Sequence, residues 1–79
     1  MRETDKLRVL IPHWIEHNEE HAEEFRNWAA RAGNASEDIL SAAETTIQAN
    51  VTLEAALEKL GGPLAYHYLQ GESDGNSAS

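Results

Sequence analysis

A chain of 79 residues forms one domain at most, and one this short buries only about 60% of the surface its unfolded form exposes, so its stability calls for a partner subunit, a ligand or a metal. The absence of cysteine removes disulfides, thiolate zinc sites, iron–sulfur clusters and cysteine nucleophiles, which leaves His, Asp, Glu and Asn as candidate metal ligands. The formal net charge of −8 argues against a nucleic-acid partner, because affinity for a phosphate backbone comes largely from cations that displace counterions. No apolar run approaches the roughly 18 residues that span a bilayer, and the first ten residues lack the apolar stretch of a signal peptide. The expectation is a cytoplasmic protein with no membrane partner.

Between Lys6 and Ala32 the apolar residues Leu7, Ile11, Trp14, Phe25, Trp28 and Ala32 share one seam at helical spacing. Pro12 would break an interior turn, so this helix is expected to begin at about residues 11 to 13, with Leu7 to Ile11 as an extended arm; the alternative is a kink at Pro12. Gly33 stands where a left-handed residue would end the helix, and Asn34 with Glu37 resembles a capping box for the next one, with Ser36 as the rival cap. The second helix is read from about Glu37 to Lys59 through Ile39, Leu40, Ala43, Ile47, Val51, Leu57 and Leu60. A break is expected near Asn50, since Asn-Val-Thr is a poor helix former and Thr52 is able to restart the helix.

Gly61-Gly62-Pro63 ends that helix. Residues 64 to 70, "LAYHYLQ", are expected to dock on the helices, with Tyr66 and Tyr68 covering one end, and the small polar residues 71 to 79 to form a disordered tail. Residues 1 to 70 thus make a single all-α domain, an antiparallel helical hairpin. Each helix of a lone hairpin leaves part of its apolar stripe uncovered, so two copies are expected to close a four-helix bundle as a homodimer.

The segment "PHWIEHNEEHAEEF", residues 12 to 25, sets three histidines four apart among glutamates. At about 100° per residue, Asn18 and His21 fall inside the seam between Trp14 and Phe25, His17 lies on its edge with Glu20 and Glu24, and His13 lies further round. His17 and His21 have the i, i+4 spacing at which two imidazoles on a helix can chelate one ion, with His13, Glu20 and Glu24 as assisting ligands. Imidazole nitrogen with carboxylate oxygen suits Ni²⁺, Zn²⁺ or Co²⁺. One helix cannot surround an ion, so the remaining ligands would come from a symmetry copy or from His67.

The competing reading of the same residues is a solvated, glutamate-rich face with a buried polar layer, in which Asn18 and His21 fix register and oligomeric state and Asn50 faces one of them across the bundle. Trp14, Phe25 and Trp28 are expected to be core. "HNEEH" is not the metalloprotease motif, because Asn18 stands where that motif places its glutamate base, and no nucleophile with an adjacent base is visible. An enzyme is not the favoured reading.

The run "LIPHWIEHNEEHAEEFRNWA" resembles short histidine-rich helical segments in small uncharacterised proteins, some of them associated with nickel handling. The resemblance covers about a quarter of the chain and implies a metal-related role for His13, His17 and His21. The leading expectation is a small metal-binding carrier, sensor or accessory protein; the alternative is a metal-free structural or protein-interaction module.

Overall fold

A computed structural model describes residues 2–64 of the chain. Two helices, α1 (Glu3–Ala29) and α2 (Ser36–Leu60), are joined by a short 3-10 turn at Gly33–Ala35 and pack on each other as a hairpin. Arg8 meets Gly61 and Gly62 at one end while Asn18 meets Asn50 at the middle, so the helices run antiparallel.

The interface repeats every seven residues. On α1 and the turn that follows it, Ile11, Ile15, Asn18, Ala22, Phe25, Ala29 and Ala32 advance in steps of four and three, and all are buried or half-buried. On α2, Ile39, Ala43, Thr46, Asn50, Leu53, Leu57 and Leu60 do the same. This alternation keeps one stripe facing the partner helix, as in a coiled coil. Ala22 and Ala43 are fully buried, and such short side chains let the two backbones approach closely.

The seam is therefore not the one that the aromatic spacing suggests. Phe25 is half-buried within it, but Trp14 and Trp28 stand on its flank, 41% and 56% exposed, and His21 lies there too. A tryptophan needs room that a stripe of alanines does not leave between two close helices. Leu10, Leu40 and Val51 are likewise exposed, so the hairpin carries substantial apolar surface outside its own interface.

Helix α1 begins well before Pro12, with Leu7 to Ile11 helical and no extended arm. Proline in a helix interior removes an N–H and frees the carbonyl four residues earlier, here that of Arg8. That carbonyl accepts instead from the backbone N–H of Leu64 at 3.1 Å. The Arg8 side chain completes the junction, donating from Nε to Gly62 O at 2.6 Å and from Nη2 to Gly61 O at 2.8 Å. The chain beyond α2 thus satisfies the group that proline leaves unpaired.

Helix α2 is continuous through Asn50. An asparagine disfavours helix by bonding to its own backbone, and Asn50 is committed elsewhere. Its Oδ1 accepts from Asn18 Nδ2 at 2.9 Å and its Nδ2 donates to Ile15 O at 3.2 Å. Neither Asn34 nor Ser36 caps the second helix, whose first turn follows directly from the 3-10 turn with Ala35 at the cap position and no side-chain bond. Gly33 adopts φ +60°, the left-handed conformation expected of it. At the far end Gly61 has φ +114° and Gly62 donates to Leu57 O at 2.9 Å, closing α2 with a glycine turn. Tyr66, His67, Tyr68 and the 71–79 tail lie outside the described residues.

Candidate functional site

The α-helix places residues four apart one above the other, so His13, His17, His21 and Phe25 form a ladder of rings along α1. The rungs are unequal. His13 and His17 meet edge to face with centroids 4.4 Å apart, and their Nε2 atoms converge to 3.1 Å. His17 and His21 lie stacked at 6.4 Å between centroids, and His21 lies stacked with Phe25 at 6.3 Å.

Two carboxylates address this ladder from one turn further on. Glu20 Oε1 stands 3.7 Å from His17 Nδ1, and Glu24 Oε1 stands 3.8 Å from His21 Nδ1. At these distances each carboxylate is a near neighbour of Nδ1 and not its hydrogen-bond partner, and which Nε2 donates in the His13–His17 contact follows from the tautomers. Glu20 and Glu24 therefore face the histidines on the ring nitrogen opposite the one that makes the His13–His17 contact. His17 and His21 are exposed, whereas His13 is half-buried.

The 3.1 Å separation bears on what the pair can hold. With metal–nitrogen bonds of about 2.0–2.1 Å, two ligand atoms on one ion lie about 3.0 Å apart at a right angle and about 3.3–3.4 Å apart at a tetrahedral angle. The His13–His17 spacing falls between these values, and it is also an ordinary hydrogen-bond distance between two imidazoles. Among the described residues, no third His, Cys, Asp or Glu joins them in a group able to hold an ion.

Behind the ladder the Asn18–Asn50 pair forms a polar layer in the seam, and no buried side-chain nitrogen or oxygen among the described residues lacks a partner. Two features escape a reading of the histidine stretch by itself: Arg8 as the clamp on Gly61 and Gly62, and the Arg8 carbonyl as the acceptor for Leu64. The signal for the second was present, since a proline inside a helix always frees the carbonyl four residues before it.

Residues 7–60 match the family described as a domain of unknown function, DUF8180. The chain belongs to the DUF8180 family. The DUF8180 segment takes in most of both helices, Arg8, Pro12, the three histidines of α1 and both members of the asparagine pair. No curated protein and no solved structure matches the chain. Among the described residues, no helix is long and apolar enough to cross a membrane.

Proposed function

We propose that this DUF8180 protein binds a divalent transition metal of the Ni²⁺, Zn²⁺ and Co²⁺ class through Nε2 of His13 and His17, and serves as a metal carrier, sensor or accessory factor. The supporting observation is the 3.1 Å convergence of the two nitrogens. Glu20 is placed to orient His17, and Glu24 to orient His21, which supplies a neighbouring imidazole for transfer or for a second coordination step. The rest of the coordination sphere comes from groups outside this pair, because one helix covers only one side of an ion.

Native mass spectrometry of untagged protein with Ni²⁺, Zn²⁺ or Co²⁺ tests the proposal. A defined stoichiometry that disappears in His13→Ala/His17→Ala and survives in His21→Ala is the expected result. Equal metal uptake by the double variant and the native chain refutes the assignment.

A second reading is favoured by a different observation. Leu10, Trp14, Trp28, Leu40 and Val51 are exposed on the hairpin, outside its own seam. On this reading the protein is a helical homodimer, a structural or interaction module in which the apolar flanks cover one another and Asn18–Asn50 fixes the register of each hairpin. Sedimentation analysis separates the two readings: a metal-free dimer unchanged by added Ni²⁺, Zn²⁺ or Co²⁺ and by loss of His13 and His17 supports the module alone.

A further inference from the structure

We infer that the hairpin pairs with a second copy of itself through one flank, the Trp14–His21–Trp28 stripe of each α1 lying over the Ala42–Ala49–Ala56 stripe of the other copy's α2; this rests on the homodimer reading above. Both stripes repeat every seven residues, and each member stands immediately before a seam residue: Ile15, Ala22 and Ala29 on α1, Ala43, Asn50 and Leu57 on α2. Antiparallel helices of the same hand set equivalent heptad positions on the same side of their seam, so the two stripes share one flank of the hairpin. All six residues are exposed, and Leu10 extends the apolar surface at the margin. The Asn18–Asn50 bond fixes the register. At that register each large residue of α1 stands within about 3 Å, along the axis, of the level of an alanine: Trp14 of Ala56, His21 of Ala49 and Trp28 of Ala42.

A two-fold axis parallel to the helices keeps these levels and brings each α1 over the other copy's α2, antiparallel to it. The tryptophans then occupy the room that the alanines leave, large against small, as close packing requires. An axis across the helices, centred on His21, would set tryptophan on tryptophan and leave alanine facing alanine over a gap. The first arrangement is a four-helix bundle whose neighbouring helices are all antiparallel.

Charge and area both favour this face for a second copy. Glu16, Glu19, Glu20 and Glu23 of α1 and Glu37, Glu44, Glu54 and Glu58 of α2 all lie off it, on the back or the far flank, where two copies would repel. On the face itself Glu3, Glu24 and Asp38 stand against Arg31 and Lys59, and the axis brings Arg31 of one copy level with Asp38 of the other. Helices of 27 and 25 residues, packed side by side, present a face about 37 Å long and about 19 Å wide, or about 700 Å² per copy. A stable interface of standard size takes about 800 Å² from each partner.

Trp14 and Trp28 are the only tryptophans of the chain, so their emission reports on this face alone. Sedimentation equilibrium and tryptophan emission of the untagged full-length protein, both followed over concentration, form the test. A dimer whose formation shifts the emission to shorter wavelength is expected. Ala49→Leu fills the alanine stripe and is expected to weaken the dimer about tenfold or more, whereas Val51→Ser, on the other flank, leaves it unchanged. Circular dichroism checks that each variant keeps its helices. A monomer at every concentration overturns the homodimer reading itself. A dimer whose dissociation leaves the emission unmoved uses another face, and one that Ala49→Leu leaves unchanged or tightens does not seat tryptophan on alanine; either result overturns the arrangement while the homodimer stands. Short-wavelength emission from a monomer at every dilution means that the tryptophans are covered within the chain, and overturns the second copy as occupant.

Discussion

Asn50 is the most informative position for the hairpin's stability, since it is 5% exposed and its side chain makes two hydrogen bonds to the opposite helix, at 2.9 Å and 3.2 Å. Replacing it with alanine removes both, at about 1 kcal/mol each, and leaves the part-buried Asn18 amide without its partner, at about 1 kcal/mol more. Alanine returns about 0.6 kcal/mol through its better helix propensity. The net expectation is a loss of about 2 kcal/mol. With a urea slope of about 1 kcal/mol/M for so small a domain, the midpoint followed by far-ultraviolet circular dichroism falls by about 2 M. The double variant Asn18→Leu/Asn50→Leu removes both polar partners together, and Ile15 O loses only a second acceptor interaction. It is expected to be at least as stable as the native chain while populating mixed registers or oligomers. An unchanged midpoint in Asn50→Ala, or a double leucine variant less stable than Asn50→Ala, would show that the pair does not join the helices as described.

Other expectations follow from the junction, the flank and the metal. Arg8→Ala loses two side-chain bonds to backbone carbonyls and is expected to cost about 1–2 kcal/mol and to speed proteolysis at residues 61–64; unchanged cleavage rates argue against the clamp. Gly61→Ala forces a side chain into φ +114° and sets its Cβ 3.1 Å from Arg8 Cζ, whereas Gly62→Ala at φ +91° meets nothing within 4 Å. Both substitutions destabilise in urea melts, Gly61→Ala by more, at about 1–3 kcal/mol. Trp28→Ser, at an exposed ring covered on one face by Arg31 at 4.6 Å, leaves the urea midpoint of the single hairpin nearly unchanged and, on the homodimer reading, lowers self-association in sedimentation. On the proposed metal reading, metal at one hundred times its dissociation constant adds about 2.7 kcal/mol and raises the melting temperature by about 10 °C or more, a gain that a chelator reverses; an unchanged melting temperature argues against that reading.

The two-helix architecture was legible because period and punctuation agree: apolar residues at helical spacing, Gly33 between the helices and Gly61-Gly62-Pro63 at the end. The pairing of Asn50 with Asn18 was legible too, as one of two possible partners. Large side chains misled where small ones decided. Trp14 and Trp28 dominate a hydrophobicity reading, yet the seam follows Ala22, Ala29 and Ala43, whose value lies in how little space they take. Local propensity misled at Pro12 and Asn50, because each local cost is met by a group distant in sequence: Leu64 for the freed carbonyl, Asn18 and Ile15 for the amide. The spacing of Trp14 and Trp28 places His21 in the seam, but the packed stripe keeps Asn18 and Phe25 and takes Ala22 and Ala29 in place of His21 and Trp28, which leaves His21 on the flank. The pairing of Nε2 atoms on His13 and His17 depends on ring rotations, which spacing does not specify.

The Arg8 clamp joins residues 54 apart in sequence, whereas the turn at Gly33–Ala35 joins helices that are adjacent in the chain. Closing a contact costs more entropy as the intervening loop lengthens, so the hairpin zips outward from Gly33 and the clamp forms last. The same order makes it the first contact to open in the native state. Amide protons of Gly62 and Leu64 then exchange with solvent sooner than those around Ala22 and Ala43. The histidine pair stands between these regimes, five and nine residues beyond Arg8, so its helical backbone persists while the clamp opens.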